Sequence, residues 1–74
     1  MTNTILDATG HLCPIPVLKV RRAMEALISG DSLVMIATDF GAKKDVPNFC
    51  EQNGHILSSV QESEGTLTFT IIKG

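Results

Sequence analysis

The sequence predicts an α/β two-layer sandwich in the order β-α-β-α-β-β, with two helices on one face of a mixed four-stranded sheet. Three observations carry this. Apolar residues recur at helical spacing after Pro14, a compact apolar run occupies residues 32–38, and residues 66–71 alternate between threonine and apolar side chains.

Each element has its own signal. Residues 4–8 read as a first strand, and Thr9, Gly10, His11 and Leu12 as the turn leaving it. From Pro14 onward, Val17, Val20, Met24, Leu27 and Ile28 define the apolar side of a helix that Gly30 terminates. Lys19, Arg22, Glu25 and Ser29 fall mostly on its other side. Asp31 leads into the second strand, residues 32–38, and a polar loop follows over residues 39–44. Asp45 is the expected N-cap of a second, short helix, with Pro47 in its first turn. Val46, Phe49 and Cys50 share the apolar side of that helix, which ends near Asn53 and Gly54. Residues 55–62 and 66–72 form the last two strands, an antiparallel hairpin turning at Ser63, Glu64 and Gly65. Leu67, Phe69 and Ile71 face one way and Thr66, Thr68 and Thr70 the other. The first two strands are expected to run parallel through a right-handed crossover. The sheet face without helices is left to solvent or to contacts.

A chain of 74 residues is expected to be a single domain over 1–74. A domain of this size buries only about 60% of its unfolded surface, so a large private pocket is not expected. No apolar run reaches the roughly 18 residues of a membrane span. Residues 1–4 carry no basic segment followed by an apolar one, so no signal peptide and a cytoplasmic location are expected. A net charge of −2 gives no drive towards nucleic acid, and three Phe with no Trp or Tyr supply a poor stacking platform.

The chemistry concentrates at Cys13, in the run Cys13, Pro14, Ile15, Pro16 at the start of the first helix. There the positive end of the helix dipole favours thiolate, the reactive form of the side chain. With Cys13 as N-cap, neither proline has an N–H, so the Ile15 amide is the expected local donor to the sulfur. The same frame suits an anionic persulfide. Parallel pairing of the first two strands would bring the loop holding Asp39, Lys43, Lys44 and Asp45 to the same end of the sheet.

Other residues carry less. Cys50 shares an apolar face with Val46 and Phe49 and reads as a core residue. Asp7 is expected to shape the turn before Gly10 by bonding to nearby backbone. His11 stands two residues before Cys13 as a candidate base, although most loop histidines are simply solvated; His55 reads as structural or exposed. The spacings among His11, Cys13, Cys50 and His55 do not match standard zinc sites, so no metal is expected. Lys19, Arg22, Lys43 and Lys44 are candidates for a basic patch that docks a partner.

Residues 6–16, Leu-Asp-Ala-Thr-Gly-His-Leu-Cys-Pro-Ile-Pro, resemble the signature of the TusA (SirA-like) sulfur carriers. Residues 45–50, Asp-Val-Pro-Asn-Phe-Cys, are similar to a second block of that family. The resemblance covers essentially the whole chain. It implies a sulfurtransferase whose Cys13 receives sulfane sulfur as a persulfide, commonly from a PLP-dependent cysteine desulfurase. The sulfur would pass to an acceptor such as a DsrE-like relay subunit. End points known in the family are thiouridine in tRNA, molybdenum cofactor assembly, sulfur oxidation and selenium metabolism. The PLP belongs to the donor, and no cofactor is implied here. The tRNA branch tends to carry Asp-Pro-Ala-Thr-Thr after the second strand, where this chain has Asp39, Phe40, Gly41, Ala42 and Lys43. That branch also often has Glu where this chain has Ile15.

Two other readings compete with sulfur relay. One is a non-enzymatic regulatory or RNA-binding module, since the same element order occurs in the C-terminal domain of a bacterial translation initiation factor. The acidic balance and missing aromatic platform oppose it. The other is a dithiol redox protein, which would need the alpha carbons of Cys13 and Cys50 within roughly 7 Å.

Overall fold

The computed structural model describes residues 3–12 and 15–74. It contains β1 (Asn3–Ala8), α1 (Ile15–Glu25), β2 (Ser32–Ala37), α2 (Ala42–Asn53), β3 (Ile56–Ser63) and β4 (Thr66–Ile72). The order is the expected β-α-β-α-β-β, and the sheet runs β1-β2-β4-β3. β1 and β2 are parallel and level, with Ala8 opposite Ala37, while β4 is antiparallel to both β2 and β3.

The helical layer covers one face of the sheet. Leu33, Met35, Ala37, Leu67, Phe69 and Ile71 point into it and are fully buried. Val20 and Met24 of α1 and Val46, Phe49 and Cys50 of α2 complete the core from above. The alternation of Leu67, Phe69 and Ile71 with half-buried threonines is the period of two that β4 showed in sequence. The β3–β4 hairpin closes through Glu64 and Gly65, both at positive φ (51° and 78°). Two positive φ values in a two-residue loop match the right-handed twist of the strands, and glycine takes the second at no steric cost.

Several boundaries differ from expectation: β1 begins at Asn3, one residue before the reading, and β2 ends at Ala37, one residue before Thr38. α1 stops at Glu25, short of Gly30, because the Ala26 and Leu27 amides turn back onto the Ala23 and Met24 carbonyls in a tightened last turn. Ile28 therefore lies beyond the helix and is 74% exposed, whereas Leu27 is buried. α2 starts at Ala42, so Asp45 is not its N-cap; Gly41 holds that position and accepts from the Asp45 amide. Pro47 consequently sits inside the helix, and Lys43 and Lys44 are helical, not loop residues. β3 begins at Ile56, one residue later than read, and extends to Ser63.

A polar clamp fixes the end of α1. Lys73 Nζ donates to the Met24 carbonyl (2.6 Å), which also accepts from the Leu27 amide, and to the Leu27 carbonyl (2.5 Å) just beyond the helix end. Its backbone pairs with Gly30 and Asp31, and Asp31 Oδ2 accepts from the Ile28 amide. A Lys73→Met variant keeps most of the aliphatic stem and removes both charged hydrogen bonds. It should lose about 2 kcal/mol of stability, seen as a lower urea midpoint with an unchanged m-value.

Candidate functional site

Parallel pairing brings the carboxyl ends of β1 and β2 together, and both following loops emerge there as expected. The Gly10 amide donates to Thr38 Oγ1 at 2.9 Å, tying the segment after β1 to the end of β2. Gly10 has φ of +80°, a region that suits glycine, and the His11 amide returns to the Ala8 carbonyl. Thr38 was read in sequence as the last residue of the second strand and was not singled out; β2 ends at Ala37, and the Thr38 hydroxyl accepts from Gly10 instead.

Asp7 shapes this turn as expected. Its Oδ1 accepts from the Thr9 amide (3.0 Å) and the Thr9 hydroxyl (2.7 Å). The hydroxyl bond, then the amide bond, and then the charges of His11 and Lys19 hold the Asp7 carboxyl below the ordinary aspartate range.

Cys13 and Pro14 lie outside the described residues, so the expected N-cap sulfur and its separation from Cys50 lie there too. Their flanks are defined. The Ile15 amide donates to the Leu12 carbonyl at 3.0 Å, and its expected role as the sulfur's donor lies with Cys13 outside the described residues. Pro16 is fully buried beneath the helix start. Leu12, Ile15 and Leu18 are large apolar side chains left exposed on the flanks of Cys13 and along α1. Phe40, in the loop after β2, is also exposed. The first turn of α1 contains no acidic residue, so no carboxylate there offsets the positive end of the dipole.

The neighbouring loop is ordered by Asp39, whose Oδ1 accepts from the Gly41 amide and whose carbonyl accepts from Ala42. The four basic residues are not brought into one patch. Lys19 acts on Asp7 at the β1 edge, whereas Lys43 pairs with Glu62 of β3 at the opposite edge and lies 5.5 Å from the Phe40 ring. Arg22 shares a shallow surface with Ile15, Leu18 and Lys19, and Lys44 is exposed on α2.

Between α1 and α2 runs an open groove of about 570 Å³. Asp45 lines it from the first turn of α2, and Arg21, Asn48 and Gln52 line it with Val17 and Leu18. Arg21 was missed because Arg22 was assigned to the outer face. Its i, i+4 spacing from Val17 was the signal for a position flanking α2.

Cys50 is buried, 2% exposed, and burial pushes its thiol pKa up, as expected of an inert core cysteine. His55 is structural: Nδ1 accepts from the Gly74 amide, and the ring lies 5.6 Å from that of Phe49. Among the described residues no three His, Cys, Asp or Glu side chains cluster as metal ligands.

Two measurements check this frame. Thr38→Val should speed hydrogen exchange of the Gly10 amide about fivefold to tenfold, the loss of one typical hydrogen bond, with Thr38→Ser restoring protection. For Asp7, a lowered folded-state pKa means its stabilising contribution is complete above the ordinary aspartate value and is lost as pH falls through the lowered one. Carboxyl NMR titration should place Asp7 below free aspartate, and Thr9→Val should move it back towards that value.

Comparison with known proteins agrees with this architecture. The family model for sulfurtransferase TusA matches residues 4–73. The sulfur carrier protein TusA of Pseudomonas putida is 42% identical over 71 residues, covering 96% of this chain and 89% of that protein. A relative in Neisseria meningitidis is 39% identical over 71 residues, with 96% of each chain covered. The crystal structure of a SirA-like protein from Desulfitobacterium hafniense superposes with a TM-score of 0.83 over 99% of both chains at 23% identity, which shows a shared fold. With the family model spanning nearly its whole length, this chain belongs to the TusA sulfurtransferase family.

Proposed function

We propose that this protein is a sulfur carrier that holds sulfane sulfur as a persulfide on Cys13. The observation that carries the reading is the match to sulfurtransferase TusA over residues 4–73, which includes the Cys13, Pro14, Ile15, Pro16 run. The frame around that run supports it: a helix start free of acidic side chains, fixed beneath by buried Pro16 and beside it by the bond from Gly10 to Thr38.

The chemistry needs one nucleophile. The Cys13 thiolate attacks the outer sulfur of a donor persulfide; a new sulfur–sulfur bond forms and the donor leaves as its thiolate. An acceptor thiolate then attacks the outer sulfur on Cys13 and releases the Cys13 thiolate. Each step exchanges one sulfur–sulfur bond for another, so no cofactor is consumed on this chain. A cysteine desulfurase is the proposed donor and a DsrE-like protein the proposed acceptor, working in the cytoplasm, with tRNA thiolation one of the destinations.

Both transfers require another protein to reach Cys13. The exposed Leu12, Ile15, Leu18 and Phe40 offer apolar contact area, Lys19 and Arg22 offer charge beside Ile15 and Leu18, and Lys44 stands exposed on α2. Asp39, Lys43 and Asp45 contribute chiefly by ordering the loop, pairing with Glu62 and lining the groove.

Incubation with a cysteine desulfurase and cysteine should add one sulfur atom to the intact protein by mass spectrometry. Cys50→Ser should retain the addition and Cys13→Ala should lose it. Loss in the Cys50 variant alone would reverse the assignment.

A further inference from the structure

We propose that Thr38 is a positioning residue for sulfur transfer: its hydroxyl holds the turn that leads into Cys13 against the end of β2. The inference rests on the reading of Cys13 as the sulfur acceptor and adds to it a residue from the neighbouring strand end.

Three consecutive amides after β1 are each engaged. Thr9 donates to Asp7 Oδ1, Gly10 to Thr38 Oγ1 at 2.9 Å, and His11 to the Ala8 carbonyl. The first and third bonds close within residues 7–11, so they shape the turn and travel with it. The bond from Gly10 reaches across 28 residues and fixes the turn against another strand. Further on, the Ile15 amide donates to the Leu12 carbonyl, which ties the exit of the turn to the first residue of α1. The two residues between Leu12 and Ile15 therefore have both flanks held, and the near flank is held through Gly10 and Thr38.

The acceptor stands on the rigid side of this bond. Thr38 follows Ala37, which is fully buried and paired with Ala8 on one side and Leu67 on the other. Asp39, next in the chain, accepts from the Gly41 amide through Oδ1 and from the Ala42 amide through its carbonyl, so the backbone beyond Thr38 is fixed at the start of α2. Gly10 is the adaptable side: its φ is +80°, and no atom lies within 4 Å of the place a Cβ would take. Thr38 is exposed, outside the core, and water can serve the Gly10 amide when the hydroxyl is lost. The bond thus governs the orientation of the turn far more than the stability of the domain.

Orientation matters because the Cys13 thiolate must form a bond to the outer sulfur of the donor while the donor cysteine leaves as its thiolate. Reacting atoms meet at about 3–3.5 Å in alignment, and a displacement of about 1 Å costs on the order of 100-fold in rate. One hydrogen bond that favours the productive arrangement changes its population about fivefold.

Single-turnover transfer from a persulfidated cysteine desulfurase to rising concentrations of the full chain tests this. Thr38→Val should lower the plateau rate about fivefold and leave the half-saturating concentration within about twofold. Its urea midpoint should stay close to that of the wild type, and Thr38→Ser should restore the plateau. Gly10→Ala, which strains the positive φ without a clash, should lower the same plateau, and adding Thr38→Val to it should lower it no further, because both act on one bond. A Thr38→Val plateau equal to that of the wild type, with one sulfur still added at Cys13, overturns this inference and leaves the carrier reading standing. So does a loss confined to the half-saturating concentration, a loss that serine does not restore, or losses that multiply in the double variant. A wild type that gains no sulfur overturns both.

Discussion

Ala8 and Ala37 stand opposite each other because β1 and β2 run parallel in register, and the geometry of the end that carries the Cys13 flanks follows from that pairing. Parallel strands need a crossover, and a right-handed one places α1 over the sheet with its amino terminus beside the ends of both strands. α2 follows β2 by the same logic, so two helix dipoles start from one end of the sheet. The Gly10 to Thr38 hydrogen bond then joins the two loops across the gap. A single-turn slip of either loop would break that bond and move the flanks of Cys13 with it.

The opposite end of the sheet works differently. Lys73, Asp31, Gly54 and His55 spend their polar groups on closure: carbonyls at the end of α1, the turn into β2, the left-handed cap of α2 and the Gly74 amide. A 74-residue chain has a thin core, and these bonds satisfy backbone groups that would otherwise be lost from water without partners. Rigid closure at one end leaves the loops at the other end free to be shaped for chemistry.

Most of the fold was legible because hydrophobic period survives in every core element. β4 alternates Leu67, Phe69 and Ile71 with threonine, and Val20 and Met24 of α1 keep helical spacing. Helix ends were less legible. Asp45 has the chemistry of an N-cap, but the chain enters α2 four residues earlier, with Asp39 ordering the approach, and local sequence does not reveal which of two aspartates the tertiary structure will use. At the site, the position of the motif at a strand-to-helix junction was readable from sequence. The partner of the Ile15 amide was not, since its hydrogen bond to Leu12 depends on how the backbone arrives there. The basic patch failed for a related reason: proximity in sequence groups lysines, whereas the sheet sends Lys19 and Lys43 to opposite edges.

β1 begins, and β4 finishes, at the end of the sheet opposite the Cys13 flanks, because both strands span the full sheet and run in opposite directions. A six-residue strand is about 20 Å long. A tether, tag or fused domain joined beyond either strand therefore leaves from the base of the molecule, a full strand length from the Cys13 flanks. A fusion made there leaves the loops after β1 and β2 uncovered.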